Sequence, residues 1–307
     1  MKHLLSTLAL LTAAFASAYA DDTIVLKMAK GKKVTVEQTL ELASDGLGEN
    51  GKSAGSMSGN PDIKLVEKWT DECKEEEDGK AKEVERTFSS SKMTIWSDPA
   101  AATLTDGCVF TMKRGGETST AEATKGSPEG KTTTLLGRAP IDPVELLLPT
   151  VAVKAGSTWE ISEDRMLAFL DCVGASIPGA QGKSGKAVSM ILGLALGNGK
   201  QSLLEAMPLK GKVVSIKAGV ATLEITGTRT IEGDDLGKIK GYGKGFGKIG
   251  GTIKVNITTG MTERVDLVMN QLKGAGSGGP PPAATGGWQA VGFKDDWKLT
   301  RVYTPAK

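Results

Sequence analysis

Histidine is all but absent from this chain: His3 is the one instance in 307 residues. It falls within the opening MKHLLSTLALLTAAFASAYA, which reads as a cleavable secretory signal. Lys2 supplies a positive start, Leu4 to Phe15 an apolar run, and Ala18-Tyr19-Ala20 a small-residue exit before Asp21. On that reading the mature chain, 21–307, has no histidine. A Ser-His-Asp triad, a Cys-His pair and any histidine-ligated metal are then beyond this chain alone. The side chain that most readily titrates near neutral pH is lost with them.

Cysteine is scarce too. Cys73, Cys108 and Cys172 are the only three, and no C-x-x-C pair exists. Redox catalysis and zinc knuckles therefore find little support. Outside the cytoplasm a disulfide is allowed, but an odd count cannot pair fully within one chain. One internal bridge and three buried thiols are both open. Cys73–Cys108 is the pairing to expect if a bridge forms, since both fall in expected strands. Cys172 is expected on an apolar helix face. No cysteine directly follows the cleavage point, which argues against a lipid anchor.

No run after the signal reaches the roughly 18 apolar residues of a membrane helix. The longest, AVSMILGLALG at 187–197, reads instead as a buried helix. It fills a core or lines an apolar pocket. Neither charge sign dominates. The full chain has 38 basic and 36 acidic residues. Losing Lys2 leaves 37 against 36, a net charge of +1. That balance makes no case for nucleic acid or an anionic membrane.

What is present is period-two alternation broken by glycine turns. In KKVTVEQTLEL, Val34, Val36, Leu40 and Leu42 share a face. IKLVEKWTDEC and KEVERTFSSSKMTIW flank the turn Asp78-Gly79, a strong hairpin signal. Further turns are expected at Asp106-Gly107, Ala218-Gly219 and Thr259-Gly260, with DWKLTRVYT as the last strand. Helix signals are fewer. ISEDRMLAFLDCVGA offers Ser162 as N-cap and apolar Met166, Leu167, Leu170 and Val173 at helical spacing. Pro143 to Leu148 suggests a short helical turn. Loops are expected at 44–62, 125–131 and 274–287. The expected fold is mainly β (α+β): antiparallel hairpins forming a curved sheet or half-barrel with a few packed helices. The mature chain is one large domain, or two halves meeting near 140–156.

Three units stand in a familiar order: KWTDECKEEEDGKAKEVERTF, VELLLPTVAVKAGSTWEI and GTIKVNITTGMTERVDLVM. Across about residues 24–303 the chain resembles large exported β-rich bacterial proteins of unknown function. In outline these are similar to the half-barrel lipoprotein carriers of the bacterial envelope. The likeness implies a fold and transfers no site residue.

Candidate sites each meet a plainer explanation. GFGKIG, through Gly245, Gly247 and Gly250, has the G-x-G-x-x-G spacing of phosphate-binding loops. A dinucleotide site needs a helix to follow, whereas TIKVNI alternates as a strand. Kinase partner motifs are missing. GKIKGYGKGFGKIGGT interleaves lysine with Tyr242 and Phe246, yet the neutral chain argues against single-strand binding. The cluster Asp71, Glu72, Glu75, Glu76, Glu77, Asp78 lacks the ligand order of a calcium loop and reads as a solvated hairpin tip. Trp159 reads as core, and Asn256-Ile257-Thr258 as an incidental glycosylation match. No catalytic, cofactor-binding or metal-ligating residue is assigned, and no cofactor is expected. The function expected is that of an exported, non-enzymatic protein, periplasmic or extracellular, binding an envelope partner or apolar ligand. A purely structural role and a carboxylate-based hydrolase are the alternatives.

Overall fold

Alternating apolar residues and tight glycine turns favour antiparallel neighbours, because a two-residue turn can only return the chain beside itself. The computed structural model describes residues 24–47, 63–95, 101–103, 105–128, 132–175, 207–231, 245–274 and 292–306. The chain forms β1 (Lys33–Leu47), β2 (Ile63–Glu77), β3 (Lys80–Ile95), the two-residue β4 (Ala101–Ala102), β5 (Val109–Gly115) and β6 (Thr118–Lys125). A helical linker follows: α1 (Thr132–Leu136), a 3-10 turn (Pro143–Leu147), β7 (Thr158–Ile161) and α2 (Glu163–Val173). The second half gives β8 (Leu209–Lys217), β9 (Val220–Ile231), β10 (Gly245–Asn256), β11 (Met261–Gly274) and β12 (Gly292–Pro305).

All pairings are antiparallel, in the order β6-β5-β3-β2-β1-β12-β11-β10-β9-β8-β7, and the sheet does not close. Each half of the chain builds one arm. The arms meet where the first and last strands pair, from Val34 opposite Pro305 to Leu47 opposite Gly292. One face is buried and the other wet. β2 shows the alternation most clearly, with Ile63, Leu65, Glu67, Trp69, Asp71 and Cys73 on its inner side. The outer side carries cross-strand ion pairs such as Lys68–Glu37 at 2.7 Å and Lys64–Glu41 at 2.9 Å. Exposed pairs of this kind add little stability but keep the surface polar.

The expected turns are present. Asp78 (φ 52°) and Gly79 (φ 78°), like Ala218 (φ 50°) and Gly219 (φ 78°), both sit in the left-handed region, as tight hairpin turns require. α2 begins where expected, with Ser162 Oγ accepting from Arg165 N at 3.3 Å. Met166, Phe169, Leu170, Cys172 and Val173 form its buried face. β1 runs into the segment expected to be loop, as far as Leu47. The apolar run 187–197 lies outside the described residues. So does most of 274–287.

Among the described residues two segments cover the inner face. The linker passes over it with Ile141, Val144 and Leu147 buried. At one end, residues 24–32 form a strap that ties the two arms: Lys27 N donates to Gly260 O and Met28 N to Gly79 O, at 2.7 and 3.1 Å. Ile24 and Leu26 of the strap join the same hydrophobic cluster as both arms.

No disulfide forms. Cys73, Cys108 and Cys172 are all buried thiols outside any disulfide, so the Cys73–Cys108 pairing is not made. Cys73 Sγ lies instead 3.2 Å from the carbonyls of both Met28 and Glu75. Cys108 packs so close to Gly126 that a Cβ there would stand 2.5 Å from its sulfur. Burial raises all three thiol pKa values, which suppresses the reactive thiolate. A thiol reagent should therefore titrate essentially none of them in the native protein and all three after denaturation. Fewer than three in the denatured protein would contradict this.

Candidate functional site

Period-two geometry sends polar residues inward wherever they share parity with the apolar ones. Gln38 falls between Val36 and Leu40, Glu67 between Leu65 and Trp69, and Arg301 between Leu299 and Tyr303. All three are buried. Register then brings them side by side, since Gln38 pairs with Glu67 on β2 and with Arg301 on β12. The result is a polar row across four strands. Ser91 Oγ donates to Glu67 Oε1 at 2.8 Å, Gln38 Nε2 to Glu67 Oε2 at 2.6 Å, and Arg301 Nε to Gln38 Oε1 at 2.5 Å. Gln38 Nε2 also reaches Val173 O at 3.2 Å, answering a carbonyl that the end of α2 leaves open.

A second row lies nearer the strap. Asp71 pairs in register with Arg86, and the two form a bidentate ion pair at 2.7 and 2.8 Å. Asp71 therefore leaves the solvated hairpin tip where its acidic neighbours suggested it would sit. β2 alternation turns it inward, and Arg86 meets it there. Arg86 also donates to Ile141 O at 3.0 Å and stands 5.2 Å from the Trp69 ring centre. Burial works against its charge, yet Asp71 outweighs it and holds the guanidinium protonated above its ordinary range.

The linker is anchored by charge at two further points. Glu145 receives Arg114 at 2.6 and 3.0 Å. Asp142 accepts from Val144 N at 3.1 Å, Tyr303 Oη at 3.2 Å and Thr262 Oγ1 at 3.2 Å, joining the 3-10 turn to β11 and β12. Burial pushes the Asp142 carboxyl up and Glu145 adds to the rise, with the Val144 N–H, Arg301 and the Tyr303 hydroxyl opposing only in part. An acid whose folded pKa is raised binds more protons folded than unfolded. Its contribution to stability is therefore lost as pH rises from the ordinary carboxylate range through the raised value. Urea unfolding from about pH 4 to pH 7 should show wild type losing ground to Asp142→Asn as pH rises. A gap that stays flat would contradict that.

Between strap, linker and inner face lies a cavity of about 70 Å³, partly open to solvent. Its apolar wall includes Leu26, Val36, Trp69, Ile141 and Met261, and its polar wall includes Asp142, Arg301 and Tyr303. The Arg301 guanidinium stands 5.5 Å from the Trp69 ring centre and 5.8 Å from that of Phe169. Burial, with Asp142 adding to it, raises the Tyr303 hydroxyl far above its usual value, so it remains a proton donor. Among the described residues no group of three or more Cys, Asp or Glu side chains stands close enough to hold a metal ion.

The motifs singled out from the sequence lie elsewhere. Gly245, Gly247 and Gly250 all fall in β10, and no helix begins at Gly250. The glycine that matters for packing is the next one. A Cβ on Gly251 would stand 2.1 Å from Asp266 O and 2.8 Å from Leu267 Cα, both in the backbone of β11, whereas one on Gly250 would meet nothing within 4 Å. Gly251→Ala should cost on the order of 1–3 kcal/mol in chemical unfolding, and Gly250→Ala about 0.5 kcal/mol or less in either direction. Equal effects would contradict the assignment. Trp159 is a packing residue: its ring covers Gly211 across the β7–β8 pair, and Nε1 donates to Leu147 O at 3.1 Å.

A scan against models of known protein families finds no match to this chain, and a search of curated proteins finds none either.

Proposed function

We propose that the protein is an exported, non-enzymatic binding protein of the cell envelope. It holds an apolar ligand between the inner face of its open sheet and the two segments that cross that face. The observation that carries this reading is the cavity beside Trp69, with largely apolar walls and an opening to solvent. The opening sequence, read as a secretory signal, supports export, and the likeness to half-barrel carriers points the same way. A non-enzymatic role is favoured by how the carboxylates are engaged. Asp71 and Glu145 are each held by an arginine, and both oxygens of Asp142 accept hydrogen bonds. Asp71 and Glu145 are thereby occupied by their arginines rather than left as general acids or bases.

Size limits the occupant. Sites for drug-sized ligands span roughly 300–1,000 Å³, against about 70 Å³ here. One end of a longer ligand fits, and the rest lies along the opening or displaces the strap. Native mass spectrometry of protein purified without detergent tests this. An added mass that organic solvent removes is the expected result. A clean apo mass would favour the purely structural or interaction role instead.

A further inference from the structure

Two residues of the cavity wall carry buried hydrogen-bond donors that the surrounding protein does not answer. Arg301 and Trp69 both line it and are 2% and 4% exposed. Arg301 Nε is taken by Gln38, but Arg301 Nη1 and Trp69 Nε1 have no partner among the described residues. Leaving such donors buried without acceptors is costly, most of all for a charged group. The guanidinium carbon lies 5.5 Å from the Trp69 ring centre, so both donors belong to one small region.

The carboxylates lining the cavity are already engaged. Asp71 is held by Arg86, Glu145 by Arg114, and Asp142 by Val144, Thr262 and Tyr303. The charged residues lining the cavity are Lys27, Arg86, Arg114 and Arg301 against Asp71, Asp142 and Glu145. Four cations against three anions leave a surplus of +1. A complementary ligand carries acceptors and no donors, a negative charge, a small head and an apolar body to meet Leu26, Val36 and Met261. A carboxylate meets each requirement and suits a guanidinium in shape.

We propose that this cavity receives the carboxylate of an apolar organic acid, with Arg301 Nη1 and Trp69 Nε1 as its donors. The proposal rests on the reading that the inner face holds an apolar ligand, and specifies that ligand's head.

The test follows the indole N–H resonances of ¹⁵N-labelled full-length protein, with Trp69 assigned through Trp69→Phe. Octanoate should move the Trp69 resonance saturably, and acetate should move it the same way at higher concentration. Octanol should leave it in place. Trp297 is the internal control: its Nε1 is likewise buried and unpartnered, but it does not line the cavity. Arg301→Met should weaken octanoate binding by about tenfold or more, the scale of a lost charge-assisted hydrogen bond. Because deleting a buried arginine can also unfold the chain, the wild-type contrast between octanoate and octanol decides by itself. Equal shifts with both would overturn the carboxylate head and leave the apolar ligand standing. No Trp69 shift with any probe would overturn the proposal, leaving water to answer the two donors. Saturable binding of acetate without octanoate would support a carboxylate site for a small free acid and count against the apolar ligand.

Discussion

Asp71→Ala should lower the unfolding free energy by about 3–5 kcal/mol, the range for stripping one partner from a buried ion pair. The loss arises mainly from what stays behind. Arg86 is 4% exposed, and its guanidinium would remain charged in a site that can no longer neutralise it. Its other contacts, Ile141 O and the Trp69 ring, cannot replace a carboxylate. Removing the charge as well should restore most of the loss, so Asp71→Leu combined with Arg86→Met should lie well above the single variant. Urea unfolding of the three proteins measures this. A loss under about 1 kcal/mol in Asp71→Ala, the scale of an exposed pair, would mean that the pair is solvated.

Phe110→Ala should be comparably damaging, at about 3–5 kcal/mol for truncating a large core aromatic. Phe110 is fully buried on β5 and meets Phe88 edge-on, with ring centres 5.8 Å apart and planes at 78°. Phe88 in turn stands 5.5 Å from Trp69. This aromatic row runs from β5 through β3 to β2 and ends at the cavity wall. Losing Phe110 should therefore also change the near-UV signal of Trp69, 41 positions away in sequence. Phe246→Ala is the control, because Phe246 is 36% exposed and should cost far less. Similar losses at both sites would contradict the packing.

Much of the fold is legible in the sequence because alternation and turn chemistry are local. Asp78-Gly79 and Ala218-Gly219 announce their hairpins, and Ser162 announces α2. The pairing of β1 with β12 is not legible in this way. Gln38 and Arg301 meet across 263 positions, and periodicity within a strand says nothing about which strand lies beside it. The candidate site was hidden for a related reason. Reading Val34, Val36, Leu40 and Leu42 as one face passes over Gln38, which has the same parity. The same count places Glu67, Asp71 and Arg301 inward. Polar residues at apolar parity were the available signal, but composition ties them to the surface. Asp71 was masked further by the acidic run after it, which does form an exposed hairpin tip from Glu75 to Asp78. In GFGKIGG the motif spacing falls on three other glycines, while the steric demand falls on Gly251.

We propose the inner face beside Trp69 as the binding surface of the protein. A photoactivatable diazirine fatty acid tests it most directly: irradiation with the protein, proteolysis, then mapping of the labelled residues. Saturable labelling confined to the cavity wall, on the strap at Leu26 to Met28 and on β11 near Met261, and suppressed by excess octanoate, is the expected result. Labelling scattered over the outer face, or unaffected by octanoate, would contradict it.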